Sequence, residues 1–478
     1  MNTQSVFVSV PHGTSAGNML RAAALLDRIR ASAASATIVL LSPMANDPAF
    51  VREFERPNVL MLEEPPHTPA GLEARLFAIV QASYLNAGQT ESVVIRRQEA
   101  KASGTIRRIG AKALLGRVLV EPFTRRGSRY ALSDSLVSHP PMERLFDQYR
   151  PRLVVAANPG LVFSELPLLR TARRRRVRTM AIDSSWDNYT NKLVPVRHVD
   201  RLLVWNDIMK AQAVSLHGYD PQAVDVVGAP QFDVYFHGAP RCTRSAFFAR
   251  LGADPSRKLI TLTTTPRSLY VHHAYVVREV MAAVQSGAFC EPVHVLVRLH
   301  PRDEVDAYRE FANTPNLTIE KPFRDTVKVA DGLAIDVMPE HQRHLADTMH
   351  HSDVVVNVAS TITIEACIFN TPVVNIAFDE GTVPFVRSAA RYYRFTHYVN
   401  ITSRGAVRVA WSPAEMIAHV KAYLADRTLD ADGRRQVVLD QCQFTDGGSA
   451  ARVAACVADE LSEAHQVAPG TIGAPQPL

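Results

Sequence analysis

Short apolar runs recur along this chain with helix-length segments between them. That alternation constrains the fold more than any other feature. Val6-Phe7-Val8-Ser9-Val10 reads as a strand, Asn18 to about Arg30 as a helix and Thr37 to Leu41 as a second strand. Leu153 to Ala157, a helical stretch to about Arg176, Arg178 to Ile182, Leu202 to Trp205 and Val224 to Gly228 continue the series. The pattern then restarts with Leu259 to Leu262, a helix over His273 to Gln285, Val293 to Val297 and a helix over Asp303 to Phe311. Leu333 to Val337, Asp353 to Asn357 and Val373 to Ile376 follow as strands. Strand, helix and strand in succession build βαβ units around a parallel sheet. Two such series predict an α/β chain of two doubly wound domains, residues 1–235 and 236–465, with a frayed Pro/Gly-rich tail at 466–478. The break falls at Gly228-Ala229-Pro230-Gln231-Phe232-Asp233.

Composition narrows the function classes. Of 478 residues, 47 % are hydrophobic and 21 % charged, enough apolar surface to bury a core and to exclude global disorder. No run approaches the roughly 18 apolar residues of a membrane span. Met1 to Pro11 carries no basic residue and reads as a strand, unlike a secretory signal. The five cysteines are scattered, with no C-x-x-C pair. That speaks against a zinc cage or disulfide scaffold and for a reducing cytosol. A net charge of +6 over this length is no nucleic-acid signature.

The charge is unevenly placed. An insertion at about 92–130 carries Arg96, Arg97, Lys101, Arg107, Arg108, Lys112, Arg117, Arg125, Arg126 and Arg129 against Glu99 and Glu121. Ile106, Ile109, Leu114, Leu115, Val118 and Leu119 recur among them at helical spacing. Such a helix either rests on an anionic membrane surface or packs, solvated, on the first domain. On the first reading, 96–129 holds the protein at the inner face of the plasma membrane. Arg173 to Arg176 reads as a helix end, where cations suit the dipole.

Ligands of open α/β sheets bind beyond the carboxyl ends of strands, so the residues following each strand are the candidates. Pro11-His12-Gly13-Thr14-Ser15-Ala16-Gly17-Asn18 is a small polar loop opening a helix. It lacks the G-x-G-x-x-G of a dinucleotide site, and serves equally as a tight turn or a binding loop. His12 is its proton-transfer candidate, because imidazole titrates near neutrality. Asp183 to Lys192 packs Trp186, Asp187, Asn188, Tyr189 and Lys192 into one connection. Rings at that density can stack on a sugar or a base while Asp and Asn grip hydroxyls, and an ordered turn with Asx caps is the plainer alternative. Thr265-Pro266-Arg267-Ser268 offers hydroxyls and a guanidinium to a phosphate. In Arg298-Leu299-His300-Pro301-Arg302-Asp303 the proline pre-shapes a helix start, which would set His300 beside a positive helix end. Ser360 reads as a helix N-cap, and Thr361 and Glu365, four apart, share one helix face. A glutamate among Ile362, Ile364 and Ala366 needs a partner, such as ribose hydroxyls.

In this order the motifs resemble the GT-B superfamily, in particular bacterial surface-polysaccharide transferases and CDP-glycerol glycerophosphotransferase-like proteins. The resemblance rests on Ser185-Trp186-Asp187-Asn188-Tyr189-Thr190-Asn191-Lys192, on the Gly228 to Asp233 segment, on Arg298 to Asp303 and on Ser360 to Ala366. Phe444 to Arg452 is a weaker fifth likeness. It implies two Rossmann-like lobes facing across a cleft, donor nucleotide in the second and acceptor in the first. His300 would touch the diphosphate, with Arg267 and Arg298 near it, Ser360 and Thr361 the phosphates, and Glu365 the ribose. Trp186, Asn188 and Lys192 would meet the acceptor. No D-x-D metal motif stands in these stretches, so no cofactor or metal is expected. For the base that activates an acceptor hydroxyl, chemistry suggests Asp187 first and His12 second.

The expected activity is transfer of a sugar or sugar-like unit from a nucleotide-activated donor to a surface-polysaccharide or lipid-linked acceptor, in the cytoplasm. Two alternatives share the residues: an epimerase of the UDP-N-acetylglucosamine 2-epimerase type, and a non-catalytic nucleotide-sugar-binding subunit.

Overall fold

A computed structural model describes residues 5–33, 36–104, 137–161, 163–192, 199–237, 242–322, 325–329, 332–335 and 338–466. The seven strands of the first sheet are β1 (Ser5–Ser9), β2 (Thr37–Leu41), β3 (Val59–Leu62), β4 (Pro151–Ala156), β5 (Arg178–Ile182), β6 (Arg201–Val204) and β7 (Val224–Val226). They are parallel in the order β3-β2-β1-β4-β5-β6-β7, with Phe7 opposite both Val39 and Val154. From Lys258 onward come β8 (Lys258–Thr263), β9 (Val293–Arg298), β10 (Leu317–Glu320), β11 (Asp325–Val329), β12 (Gly332–Ile335), β13 (Val354–Asn357), β14 (Val373–Ile376) and β15 (Arg408–Ala410). Six of these form a second parallel sheet, β10-β9-β8-β13-β14-β15. Strands covered on both faces are apolar throughout, which is why they stood out as unbroken runs.

Seven helices matter below: α1 (Leu25–Ser32), α2 (Glu91–Ala102), α3 (Glu165–Arg174), α4 (His273–Gln285), α5 (Ile362–Ile368), α6 (Thr396–Thr402) and α7 (Ser449–Gln466). The α/β class and the two Rossmann-like sheets are as expected. Several local readings are not. The segment read as one helix from Asn18 is a π-helical turn, Ala16–Arg21, then a short 3-10 turn with Ala23 and Ala24 in left-handed conformation, and only then α1. The linker turns Pro230–Phe232 and Asp233–Phe236 pack against this break. The Leu333 strand does not join the second sheet. It pairs antiparallel with β11 in a separate hairpin, whose β12 lies against the Gly13–Ser15 turn of the first lobe. The Asp303–Phe311 helix is a 3-10 helix beginning at Val305. β3, β10 and β15 are edge or next-to-edge strands whose short runs carried too little periodicity to read. Of the basic insertion, α2 is described; residues 105–136, with Ile106 to Leu119 and Arg107 to Arg129, lie outside the described residues, as do 467–478 of the tail.

The last helix crosses back over the expected division at 235/236. Ala450, Val453, Cys456 and Val457 of α7 lie in the core that contains Val6, Ile38 and Leu153. Arg178 grips Glu460 through two 2.9 Å bonds. The crossing is anchored at Asp233, whose two carboxylate oxygens accept the amides of Ser449 (3.0 Å) and Ala450 (2.8 Å). Two stretches singled out separately in the sequence therefore meet here. Gly228 is part of the joint: its φ is +86°, and a Cβ there would stand 2.3 Å from the Ser449 hydroxyl. Asp233→Ala removes the cap and leaves two buried amide donors without it, so urea denaturation should show a loss of about 2 kcal/mol. An unchanged midpoint would refute this account of the joint.

Candidate active site in the cleft between the sheets

The strand orders reverse between β1 and β4 in the first sheet and between β8 and β13 in the second. Open α/β sheets bind ligands at such points, where the loops after adjacent strands part. The loops following β1, β8 and β13 carry His12, Arg267 and Ser360-Thr361, and the loop after β9, which neighbours β8, carries His300.

His300 is the best defined of these side chains. Its amide donates to Thr264 Oγ1 at 2.8 Å, and its Nδ1 accepts the Arg302 amide at 3.0 Å. That places the ring proton on Nε2, which bonds to nothing among the described residues. Burial, then the charges of Arg302 and Lys321, lower the imidazole to about 4 against the pull of Asp303. The ring is therefore a neutral N–H donor at neutral pH. Asp303 closes the turn, accepting the Glu304 amide (2.9 Å) and the Tyr308 hydroxyl (2.7 Å). The expected helix end beside His300 is missing, because a turn separates it from the 3-10 helix at Val305.

Arg298 is turned inward. It is 4 % exposed, bonds Glu320 at 2.8 Å and faces Glu365. Glu365 is buried and accepts the Tyr235 hydroxyl at 3.1 Å. Burial raises its carboxyl to about 7, with the Tyr235 bond and Arg298 holding it down. Arg298, two residues before His300 in the chain, faces Glu365, and the Tyr235 bond ties Glu365 to the linker. Ser360 is not the N-cap of α5. Thr361 is, without a side-chain bond, while Ser360 Oγ accepts the Ile362 amide at 3.2 Å. Both residues are half-buried. Arg267 is exposed and without an ion pair to any described carboxylate.

In the first lobe, His12 caps the turn Gly13–Ser15, its Nδ1 accepting the Ser15 amide at 3.1 Å. It is half-buried at the switch point. Asp187 is a poor base. Burial would raise its carboxyl, but Lys192, His397, Ser185 and Asn191 outweigh that and hold it well below the usual carboxylate range. Ser185 Oγ donates at 2.5 Å, Asn191 Nδ2 at 3.0 Å, and Lys192 Nζ stands 3.3 Å away. A carboxylate so stabilised gives up little by staying ionised and accepts protons badly.

The Trp186 stretch is a joint between lobes and not an open acceptor surface. Trp186 is 6 % exposed, with its ring edge-on to His397 (5.0 Å) and Tyr398 (5.9 Å) of the second lobe. Asn188 is buried on Asp183 at 2.5 Å. Lys192 alone of the three reaches solvent. Helix α2 completes the joint. Glu99 pairs with Arg391 at 2.8 Å and Glu91 with Arg394, while Ser92 Oγ accepts the amide of Thr396 at the start of α6 at 2.8 Å. Arg96 bonds Asn191 (3.2 Å) and Glu99 (3.0 Å) and lies over the Phe395 ring. In its described part, then, the basic insertion spends Arg96 inside the protein.

Sequence reasoning passed over three groups. Thr264 orients His300, and the Thr263-Thr264-Thr265 run after β8 was its only trace. Tyr235 carried no signal beyond its place in the linker. Glu64 and Glu165 converge on Ser9 at the tip of β1: Ser9 Oγ donates to Glu64 Oε1 at 3.4 Å and the Ala157 amide to Glu165 Oε1 at 2.7 Å. Both carboxyls are buried, and each keeps one oxygen without a partner. Glu64 follows β3 and Glu165 opens α3, about a hundred residues apart, so no spacing could announce them. Among the described residues no cluster of metal-binding side chains occurs, and no helix is long and apolar enough to cross a membrane.

Two parallel α/β sheets, each with its strand order reversing once, make a GT-B-like fold. Residues 167–459 match the model of the CDP-Glycerol:Poly(glycerophosphate) glycerophosphotransferase family, and the chain belongs to that family. It resembles MnaA of S. aureus in complex with UDP, at 11 % identity, 98 % and 100 % coverage of the two chains and a TM-score of 0.55. It also resembles a UDP-N-acetylglucosamine 2-epimerase of Listeria monocytogenes, at 12 % identity, 97 % and 98 % coverage and a TM-score of 0.54. The wall teichoic acid polymerase TagF matches at 10 % identity, 97 % of this chain and 89 % of that one, with a TM-score of 0.50. Identities this low carry the fold alone. A lipid-A-disaccharide synthase of Syntrophotalea carbinolica is 26 % identical over 254 residues, which is 50 % of this chain and 57 % of that relative, so the match spans little more than half of that protein.

Proposed function

We propose that this protein transfers a glycerophosphate or glycosyl unit from a nucleotide diphosphate donor to a surface polymer or lipid-linked acceptor at the cytoplasmic side of the membrane. The observation that carries this reading is the neutral His300 ring after β9, tied through its amide to Thr264 in the loop after β8, its Nδ1 occupied and its Nε2–H without a partner among the described residues. An N–H donor fixed there suits the oxygen on which charge grows as a bond to the diphosphate breaks. Arg267, Ser360 and Thr361 stand on the loops around it and are assigned to the phosphates. Glu365 is assigned to the ribose, which requires it to exchange its bond to Tyr235. The acceptor hydroxyl must lose a proton as it attacks, and His12, across the cleft at the first switch point, is assigned as the base.

Two bonds in such a donor can break. Attack at the outer phosphorus transfers an alcohol phosphate and releases a nucleoside monophosphate. Attack at a sugar carbon transfers a glycosyl unit and releases a nucleoside diphosphate. The family membership favours the first. A donor panel of CDP-glycerol and UDP-sugars, with the released nucleotide identified, decides it: CMP is expected. Nucleotide binding should also raise the melting temperature, because a ligand of the folded state stabilises it. Epimer formation from UDP-N-acetylglucosamine alone, with no acceptor consumed, would overturn the transferase reading.

A further inference from the structure

Glu365 stands between two neighbours that are held in different ways. The first belongs to a chain of charges. Arg298, at the end of β9, lies in register with Glu320 at the end of β10, and its guanidinium bonds the Glu320 carboxylate at 2.8 Å. His344, on the helix Pro339–His351, reaches both Glu320 oxygens through Nε2 at 2.9 Å. Arg250 donates to Nδ1 of the same ring at 2.9 Å, which leaves the ring proton on Nε2 for Glu320. Side chains from three other elements thus fix Arg298, and Arg298 faces Glu365.

The second neighbour offers one hydroxyl. Tyr235 donates to Glu365 Oε2 at 3.1 Å from the four-residue turn Asp233–Phe236 of the linker. Its ring is stacked on Phe232 at 5.9 Å and stands edge-on to Phe369 at 5.5 Å. Both ends of the bond are buried, Tyr235 being 6 % and Glu365 8 % exposed. A buried carboxylate without a donor is costly, so the phenol spares Glu365 that cost when no nucleotide is bound. A neutral O–H on a carboxylate oxygen is also the bond that a ribose hydroxyl would make there.

We propose that Tyr235 sets the selectivity of the donor pocket for ribose: its phenol holds the place of a ribose hydroxyl on Glu365 and yields it only to a nucleotide that brings a hydroxyl of its own. The inference rests on the assignment of Glu365 to the ribose. A ribonucleotide exchanges one O–H donor for another and leaves the carboxylate satisfied. A nucleotide without 2′ and 3′ hydroxyls cannot make that exchange, and Tyr235 stays. Arg298, fixed through Glu320 and His344, keeps the carboxylate in place while its donor changes. When the ribose binds, the linker gives up this bond to the second lobe and keeps the Asp233 cap on α7.

The test uses the full chain at pH 8, above the value of about 7 to which burial raises Glu365. CMP, or the nucleotide released in the donor panel, and its 2′,3′-dideoxy analogue are titrated against wild type, Tyr235→Phe and Glu365→Gln. Wild type should bind the ribonucleotide at least about tenfold more tightly than the analogue. Tyr235→Phe keeps the ring between Phe232 and Phe369 and removes only the competing donor. It should tighten the ribonucleotide by about five- to tenfold and leave the analogue within about twofold of wild type. Glu365→Gln should narrow the preference, and adding Tyr235→Phe to it should change ribonucleotide binding by less than about twofold. Melting curves without ligand check that the variants fold. Weaker or unchanged ribonucleotide binding in Tyr235→Phe overturns the proposal, because the phenol would then support the pocket and not compete for it. Equal tightening of both nucleotides overturns it as well, because the competition would not be for the ribose. Equal affinity of wild type for the two nucleotides removes the ribose assignment and the proposal together, while consumption of donor by the same preparation keeps the transferase reading. A chain that neither binds nor consumes any nucleotide loses both.

Discussion

His300→Ala is expected to lower donor consumption by about 10²–10³-fold, the usual effect of removing one donor aimed at developing charge. The fold should survive, because the turn loses only the Arg302 amide's bond to a side chain. Steady-state rates with CDP-glycerol and melting curves of the same preparations check both halves. Full activity in the variant would remove the site assignment. The pH dependence adds a second constraint. With its imidazole held at about 4, His300 stays neutral through the working range and should put no limb on the rate profile above about pH 5. Its effect on stability has a definite sign. An unfolded histidine takes up its proton near 6.5 and the folded one resists until about 4, so the contribution is complete above 6.5 and is lost as pH falls between those values.

Glu165→Gln is expected to stabilise the protein at pH 8, by about 2–4 kcal/mol. Burial raises Glu165 to about 8, against the bonds from the Ala157 amide and Ser9. Burial and then the Glu165 charge raise Glu64 to about 8. Unfolded glutamates release their protons near 4.5, while the folded ones hold them to about 8. Stability therefore falls as pH rises through that interval, and the native state carries the cost above it. The amide of Gln can still accept from Ala157 and has no such titration. Denaturant unfolding at pH 5 and pH 8 should show wild type and variant close together at the lower pH and well apart at the higher one. A constant gap would show that packing, and not the proton, sets the difference.

What could be read from the chain followed what is local in it. Val6 to Val10, Val293 to Val297 and Val354 to Asn357 are buried on both faces, so their composition alone declared parallel strands. α4 was read over His273–Gln285, its observed span, because its apolar spacing is regular and both ends are clear. The hairpin strand Gly332–Ile335 has the same apolar look as a sheet strand, and only its partner distinguishes the two. The break at Ala23 and Ala24 was invisible for the opposite reason: alanine is a strong helix former, and contact with the linker overrode that preference.

By itself, then, the order of residues determined the class of fold, two βαβ series joined near Asp233, and the candidates His12, Arg267, His300, Ser360, Thr361 and Glu365 at strand ends. Tertiary structure alone decided which of the polar side chains face the cleft. Arg298, Trp186 and Asn188 turned inward, the Asp187 carboxylate was tied up by Ser185, Asn191 and Lys192, and Tyr235, Glu64 and Glu165 came in from elements far apart in the chain. The physical reason is that periodicity and composition report burial along one segment, whereas a side chain's charge state and exposure are set by neighbours that the chain brings together only on folding.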